Sequence, residues 1–145
     1  MTDLIVERTI AAPADAVFAW LTDPRHLTAA PLALRAGWAG GTAGPGVGAV
    51  REVWALGLWA REEIIAWDPP HGYEYRITRA VPAIEHREGA VVLTPVNGGT
   101  HVRWISDFTI PLAGGGKPME LLMGRLLPGS FAAILDACSR DLESS

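Results

Sequence analysis

Residues 117–143 constrain the fold more than any other segment, because they carry the pattern of a long helix that must bury one side. Apolar residues recur there three and four positions apart, as on one face of an α-helix: Met119, Leu122, Met123, Leu126, Phe131, Ile134, Leu135, Cys138 and Leu142. The glycines at 114–116 precede the pattern as a hinge. Pro128 lacks an N–H, so it predicts a kink between two half-helices that share one apolar side. Such a helix needs a large apolar partner.

The segments that precede this helix read mostly as strands. Predicted strands cover residues 3–11, 32–38, 49–56, 58–67, 73–79, 85–95 and 100–110. Turn signals separate them at Gly57, at residues 68–72 and at Asn97-Gly98. Two short helices are predicted after the first strand, one opening at Pro13 and one over residues 24–29. The fold class is therefore α+β: a curved antiparallel sheet packed on the long helix, in a single domain spanning 1–145.

Composition excludes several classes of function. The net charge of −4 gives no general attraction for nucleic acid or for an anionic membrane. A single cysteine rules out an internal disulfide and fits a reducing compartment. No uninterrupted apolar run is long enough for a membrane span, and no signal peptide is recognisable. We therefore expect a cytoplasmic protein without stable membrane insertion.

The known cofactor and metal motifs do not match this sequence. The glycine-rich stretch at 40–48 lacks both the P-loop and the dinucleotide-binding spacing, and a strand follows it, so it predicts a hairpin or a mobile rim loop. The four histidines are scattered, with no spacing typical of a zinc site. We expect no metal and no cofactor.

Several segments together resemble one superfamily. Residues 12–18 (APADAVF), with Leu21 and Asp23-Pro24, resemble the strand–helix opening of the START-like, or SRPBCC, superfamily. Residues 46–48 (GVG), 67–70 (WDPP) and 98–104 (GGTHVRW) are similar to its polyketide cyclase/dehydrase-type branch. The order and spacing of these motifs extend the resemblance over nearly the whole chain.

This resemblance implies a Bet v 1-like helix-grip fold. In that fold a strongly curved, seven-stranded antiparallel sheet wraps a long C-terminal helix, and two short helices lie between strands 1 and 2. The resemblance also implies a deep apolar cavity between sheet and helix. Its expected ligands are hydrophobic small molecules such as lipids, polyketides or aromatic metabolites.

Strand alternation indicates which side chains face such a cavity. If Val102 faces the helix, Trp104 and Ser106 face it too. In the preceding strand, an inward Val91 would place Glu85 and Arg87 on the same side. Two interpretations follow: either this charged pair forms the polar end of an apolar pocket, or it lies past the packed region or on a face that a bulge resets. For strands 49–56 and 58–67 the sequence does not decide which residues face the cavity.

The remaining site predictions rest on side-chain type. Indoles on strands often line pockets for flat or apolar ligands, and thioethers adapt to irregular ones. The candidate ligand-binding residues are Trp38, Trp54, Trp59, Tyr75, Arg87, Trp104, Ser106, Met119 and Met123. A catalytic acid or base in the cavity would be Glu85, tuned by Arg87, or else His86.

Three functions stay open at this point. The first is a noncatalytic binding protein for a hydrophobic small molecule. The second is a polyketide cyclase/dehydratase-like enzyme that acts in the same cavity. The third is a partner-regulating module similar to the Hsp90-activator branch of the superfamily. Whether the chain forms a homodimer also stays open.

Overall fold

The computed structural model describes residues 2–40 and 45–143, with the backbone alone at His86 and Arg87. Of the predicted glycine-rich loop at 40–48, residues 41–44 lie outside this description. Residues 45–48 form bends and a turn that lead into the next strand.

The described residues form seven strands and two α-helices. In chain order these elements are β1 (Thr2–Ile10), α1 (Ala14–Thr22), β2 (Ala33–Trp38), β3 (Val50–Ala55), β4 (Leu58–Asp68), β5 (Gly72–Val81), β6 (Glu85–Val96), β7 (Gly99–Thr109) and α2 (Gly116–Glu143). Short 3-10 helices cover Pro24–Ala29 and Leu112–Gly114. All strands join one antiparallel sheet in the order β1-β7-β6-β5-β4-β3-β2.

This architecture confirms the predicted helix-grip fold. The sheet curls into a half-barrel, and α2 is the core helix that it holds. α2 is one continuous helix of 28 residues that includes Pro128, and the kink expected at this proline stays a prediction. A proline removes one backbone hydrogen bond, and side chains packed on the following turns keep the helix in place. Although α2 has the length and composition of a membrane span, its position in the fold explains its apolar character.

The C-terminal half of α2 forms the centre of the core. The side chains of Ile134, Leu135 and Cys138 are at most 4% exposed. They belong to one cluster with side chains from α1 and the sheet, among them Val17, Phe18, Leu21, Val91, Leu93, Val102 and Trp104. Burial of each large aliphatic side chain contributes about 1.5–3 kcal/mol, so this half of the helix is held firmly.

The N-terminal half of α2 is tied to the sheet by one buried carboxylate, that of Glu120. The Thr2 hydroxyl donates a hydrogen bond to it at 2.8 Å, and the backbone N–H of Ile110 donates another at 3.1 Å. The Lys117 ammonium lies 3.3 Å away. The hydrogen bond from Thr2, followed by that from Ile110, lowers the pKa of Glu120 to about 2.

We therefore predict that Glu120→Gln lowers the free energy of unfolding at neutral pH. Since the folded-state pKa lies below the ordinary value of 4.5, the carboxylate stabilises the fold above that value. This stabilisation is lost as the pH falls from 4.5 to about 2. Urea unfolding at a series of pH values measures the free energy of unfolding of both proteins. The difference in this free energy between wild type and variant should shrink as the pH falls through this range.

The exposed Glu63 supplies the control for this prediction. Glu63→Gln removes the same charge from a solvent-facing position and should change stability little. The role assigned to Glu120 would be contradicted if the free energies of unfolding of wild type and Glu120→Gln differed by the same amount from neutral to acid pH.

Candidate functional site

A cavity of about 310 Å³ lies between the inner face of the sheet and the N-terminal half of α2. Its volume is at the lower end of the range typical of small-molecule sites. Most of its lining is apolar and comes from α2 and from strands β3, β4, β5 and β7: Val53, Ala55, Leu58, Ala60, Ile77, Phe108, Met119, Met123, Leu127, Phe131 and Ile134. Such a wall favours a hydrophobic occupant.

Leucines mark where the cavity opens to solvent. Leu122 and Leu126 of α2 line the cavity, yet they are 48% and 52% exposed. Leu32 and Leu56 line it from the sheet side and are also more than half exposed. The four leucines thus form an apolar mouth through which a molecule could enter.

One ion pair is buried in the otherwise apolar lining. Arg51 on β3 and Glu62 on β4 are directly opposite each other in the sheet, and both border the cavity. The Arg51 Nε donates to Glu62 Oε1 at 2.6 Å, and the residues are only 1% and 9% exposed. Burying two charges is costly unless they are paired and hydrogen-bonded, and this geometry supplies both conditions.

Aromatic side chains hold the guanidinium of Arg51 in place. Its Nη1 donates to the Tyr73 hydroxyl at 3.2 Å. Its central carbon lies 4.8 Å from the centroid of the Tyr75 ring and 5.4 Å from that of Tyr73, which is cation–π distance. The indole N–H of Trp104 donates to the Tyr75 hydroxyl at 3.0 Å. These contacts connect β3, β4, β5 and β7 into one polar cluster.

Trp104 also connects this cluster to α2. Its indole stacks on the ring of Phe131 with centroids 4.2 Å apart and planes 4° apart. Stacked aromatic pairs contribute about 0.5–1.5 kcal/mol beyond the area that they bury. The polar end of the cavity and the helix that covers it are therefore coupled.

The electrostatics fix the protonation states at this end of the cavity. Burial disfavours the charge of Arg51, but attraction to Glu62 together with the contacts to Tyr73 and Tyr75 outweighs it and raises the pKa of Arg51 above its ordinary value. Burial, with the negative charge of Glu62, raises the pKa of Tyr75. Arg51 therefore stays charged and Tyr75 stays neutral at physiological pH.

Gly89 on β6 leaves the space in which the Tyr75 ring lies. A Cβ atom at Gly89 would come within 2.3 Å of the Tyr75 ring and 2.6 Å of its hydroxyl oxygen. The two residues are paired in adjacent strands, so the ring of Tyr75 crosses directly over Gly89. Only a residue without a side chain permits this crossing.

The structure brings together five of the predicted ligand-binding residues. Tyr75, Trp104, Ser106, Met119 and Met123 all border the cavity. The alternation predicted for β7 places Trp104 and Ser106 correctly, and they are 3% and 5% exposed.

The other predicted tryptophans do not border the cavity. Trp54 and Trp59 lie beside each other with centroids 5.8 Å apart in a shallow groove, where Trp54 is 45% exposed and Arg79 approaches Trp59. The prediction that they line the cavity is wrong in position, because their strand phase points them away from it. Trp38 packs against the core without lining the cavity.

Of the two predicted catalytic residues, Glu85 has a described side chain, and it does not line the cavity. The Glu85 side chain is exposed, because a bulge between His86 and Gly89 shifts the alternation of β6. This is the second of the two interpretations left open above. The side chains of His86 and Arg87 lie outside the described part of the structure.

Arg51 and Glu62 were not predicted, although the sequence carries a signal for them. The prediction joined the two strands at Gly57 alone, whereas Leu56 and Gly57 both form the turn and Ala55 pairs with Leu58. Counting back from that pair places Arg51 opposite Glu62. Opposite charges at directly paired positions indicate a cross-strand ion pair.

The chain belongs to the family described as "Polyketide cyclase / dehydrase and lipid transport", whose sequence model matches residues 1–143. The family and the fold are those of hydrophobic ligand-binding helix-grip domains. No curated protein shows significant sequence similarity to the chain.

Solved structures show the same fold at low sequence identity. TTHA0849 from Thermus thermophilus matches with a TM-score of 0.76 at 20% identity, over 98% of this chain and 97% of that chain. Ara h 8.0201 matches with a TM-score of 0.66 at 19% identity, over 94% and 96%. DynU16, a protein of the dynemicin biosynthetic locus, matches with a TM-score of 0.68 at 18% identity, over 99% of this chain and 48% of that chain.

Arg51→Met should lower the free energy of unfolding by about 3–5 kcal/mol, because it leaves the Glu62 carboxylate buried without its partner. The double variant with Glu62→Met should recover most of this loss. Arg61→Met on the outer face is the matched control, since its ion pair with Glu52 is 3.6 Å long and Arg61 is 47% exposed. Chemical denaturation measures the free energy of unfolding of all three variants. Equal losses for Arg51→Met and Arg61→Met would contradict a buried pair.

Gly89→Ala should displace the Tyr75 ring and break its hydrogen bond with Trp104, at a cost of about 1–3 kcal/mol for overpacking. Gly37→Ala is the control, because a Cβ there meets nothing within 4 Å. Thermal unfolding and the near-ultraviolet dichroism of the aromatic cluster measure the effect. An unchanged aromatic spectrum in Gly89→Ala would contradict the crossing of Tyr75 over Gly89.

Proposed function

We propose that this protein binds a hydrophobic small molecule that carries one polar group, and that it holds the molecule without transforming it. One observation supports this most: within the described residues, an open and mostly apolar cavity contains a fixed polar cluster that includes Arg51, Glu62 and Tyr75. Apolar walls supply affinity, and a few fixed polar groups supply orientation.

The cluster would orient the ligand within the cavity. Arg51 is already held by Glu62 and the two tyrosines, so its position requires no rearrangement on binding. Preorganised groups lose little entropy when a ligand arrives. The apolar part of the ligand would then extend along α2 toward the leucines at the mouth.

The protonation states favour binding over acid–base catalysis. A general acid or base works best when its pKa lies near the operating pH. The pKa values of both Arg51 and Tyr75 are raised away from that range. Glu85, the acid suggested by the sequence, is exposed to solvent. The described cavity therefore presents donors and apolar surface to a ligand.

The comparisons support the class of ligand. The family description names polyketide cyclases and lipid transport, and DynU16 belongs to a biosynthetic locus. Polyketides and lipids are both largely apolar molecules with oxygen-bearing ends, which fits an apolar cavity with one polar cluster. A cytoplasmic location stays a prediction from the sequence.

Met123→Trp should weaken binding of phenylnaphthylamine, an uncharged fluorescent probe, by at least about tenfold. Met123 lines the cavity, and an indole at this position would occupy part of its volume. Leu121→Trp is the matched control, because Leu121 lies two positions earlier on α2, is 56% exposed and does not line the cavity. Fluorescence titration gives the Kd for wild type and both variants.

Two outcomes would argue against the proposal. Absence of saturable probe binding to the wild-type protein would remove the binding function itself. Equal weakening by Met123→Trp and Leu121→Trp would show that the probe binds elsewhere on α2.

A further inference from the structure

The buried ion pair carries no net charge, and this restricts which ligands its cluster can accept. Arg51 provides positive charge and hydrogen-bond donors, but the Glu62 carboxylate lies only 2.6 Å from its Nε. Both side chains border the same cavity. A ligand group placed near Arg51 therefore experiences the field of both charges.

We infer that Glu62 makes the cavity selective for ligands with an uncharged oxygen group, such as a hydroxyl or a carbonyl, over ligands that end in a carboxylate. This inference rests on the proposed binding function and specifies its ligand class. Glu62 acts as the selectivity residue, and Arg51 supplies the hydrogen-bond donor.

The argument depends on two opposing energies. A carboxylate that enters the cavity loses its hydration, which is costly in an apolar environment. Attraction to Arg51 would offset that cost if the guanidinium were unpaired. The Glu62 carboxylate repels the incoming anion over a similar distance, so most of the compensation is cancelled.

An uncharged hydroxyl or carbonyl avoids this penalty. Its desolvation costs much less than that of an anion. It can accept a hydrogen bond from a charged donor, and such bonds are stronger than neutral ones. The aromatic rings of Tyr73 and Tyr75 hold the guanidinium of Arg51 in the same place before and after the ligand binds.

A matched pair of ligands and a single substitution test the inference. Decanol and decanoate share a chain length and differ in the charge of the end group. Their Kd values are measured by displacement of phenylnaphthylamine at about pH 8, where the carboxylic acid is ionised. The wild-type protein should bind decanol more tightly than decanoate.

Glu62→Gln should change this preference. Glutamine keeps the shape and can still accept the hydrogen bond from Arg51 Nε, but it removes the opposing charge. The ratio of the decanoate Kd to the decanol Kd should fall by at least about tenfold relative to wild type. Glu52→Gln, on the same hairpin but facing outward beside Trp59, should leave the ratio unchanged.

The outcomes separate this inference from the proposed function. Saturable binding of the probe with an unchanged ratio in Glu62→Gln would overturn the role of Glu62 and leave the binding function standing. Failure of the probe and both ligands to bind the wild-type protein would instead overturn the proposed function. A ratio altered equally by Glu52→Gln would show a general charge effect and would also overturn the inference.

The double variant Arg51→Met with Glu62→Met provides a second test that does not depend on folding of Glu62→Gln. It removes both charges from the lining and leaves the hydroxyl groups of Tyr75, Ser106 and Ser130 in place. The wild-type protein should bind decanol more tightly than decane, which has the same chain length. The double variant should lose this preference. A retained preference for the alcohol would show that the hydrogen bond is made elsewhere.

Discussion

The different packing of the two halves of α2 is the constraint on which the rest of the structure depends. The C-terminal half is embedded in the core through Ile134, Leu135 and Cys138. The N-terminal half is held by the Glu120 carboxylate and by packing of Met119, Met123 and Leu127 on a small apolar cluster of the sheet. Phe131, near the middle of the helix, stacks on Trp104. Beneath it the sheet presents small side chains, including Ala55, Gly57 and Ala60. Because these do not fill the space under the helix, a cavity remains where a core would otherwise close.

The Arg51–Glu62 pair gives that cavity its chemical character. A buried pair seldom stabilises a fold more than apolar residues of the same size would. Its position at the cavity, surrounded by Tyr73, Tyr75 and Trp104, is consistent with the proposed role in ligand recognition. The pair supplies a donor and cancels its own net charge, which is suited to an uncharged polar group on an apolar molecule.

Much of the architecture follows from local pattern. Alternation in β7 identifies Val102, Trp104 and Ser106 as inward-facing, and helical spacing identifies Ile134, Leu135 and Cys138 of α2 as buried. Leu122 and Leu126 of the same predicted stripe are about half exposed, because they lie at the mouth of the cavity. The strands lie within about two residues of their predicted bounds because turn residues separate them. The site is less predictable. Trp54 and Trp59 carry the expected residue type on the opposite face, so residue type alone does not identify a cavity wall.

The sequence by itself determined the order of the elements and the α+β class, since these depend on periodicities that repeat over many residues. Its resemblance to the START-like superfamily implied the helix-grip class and the apolar space between sheet and helix. Only the tertiary structure decided which charged residues reach that space. A bulge turns Glu85 to solvent, and a two-residue turn sets Arg51 opposite Glu62. The physical reason is the period of two in a strand: a shift of one residue exchanges the inner and outer faces, and the hydrogen-bond register that fixes this shift is a property of paired strands.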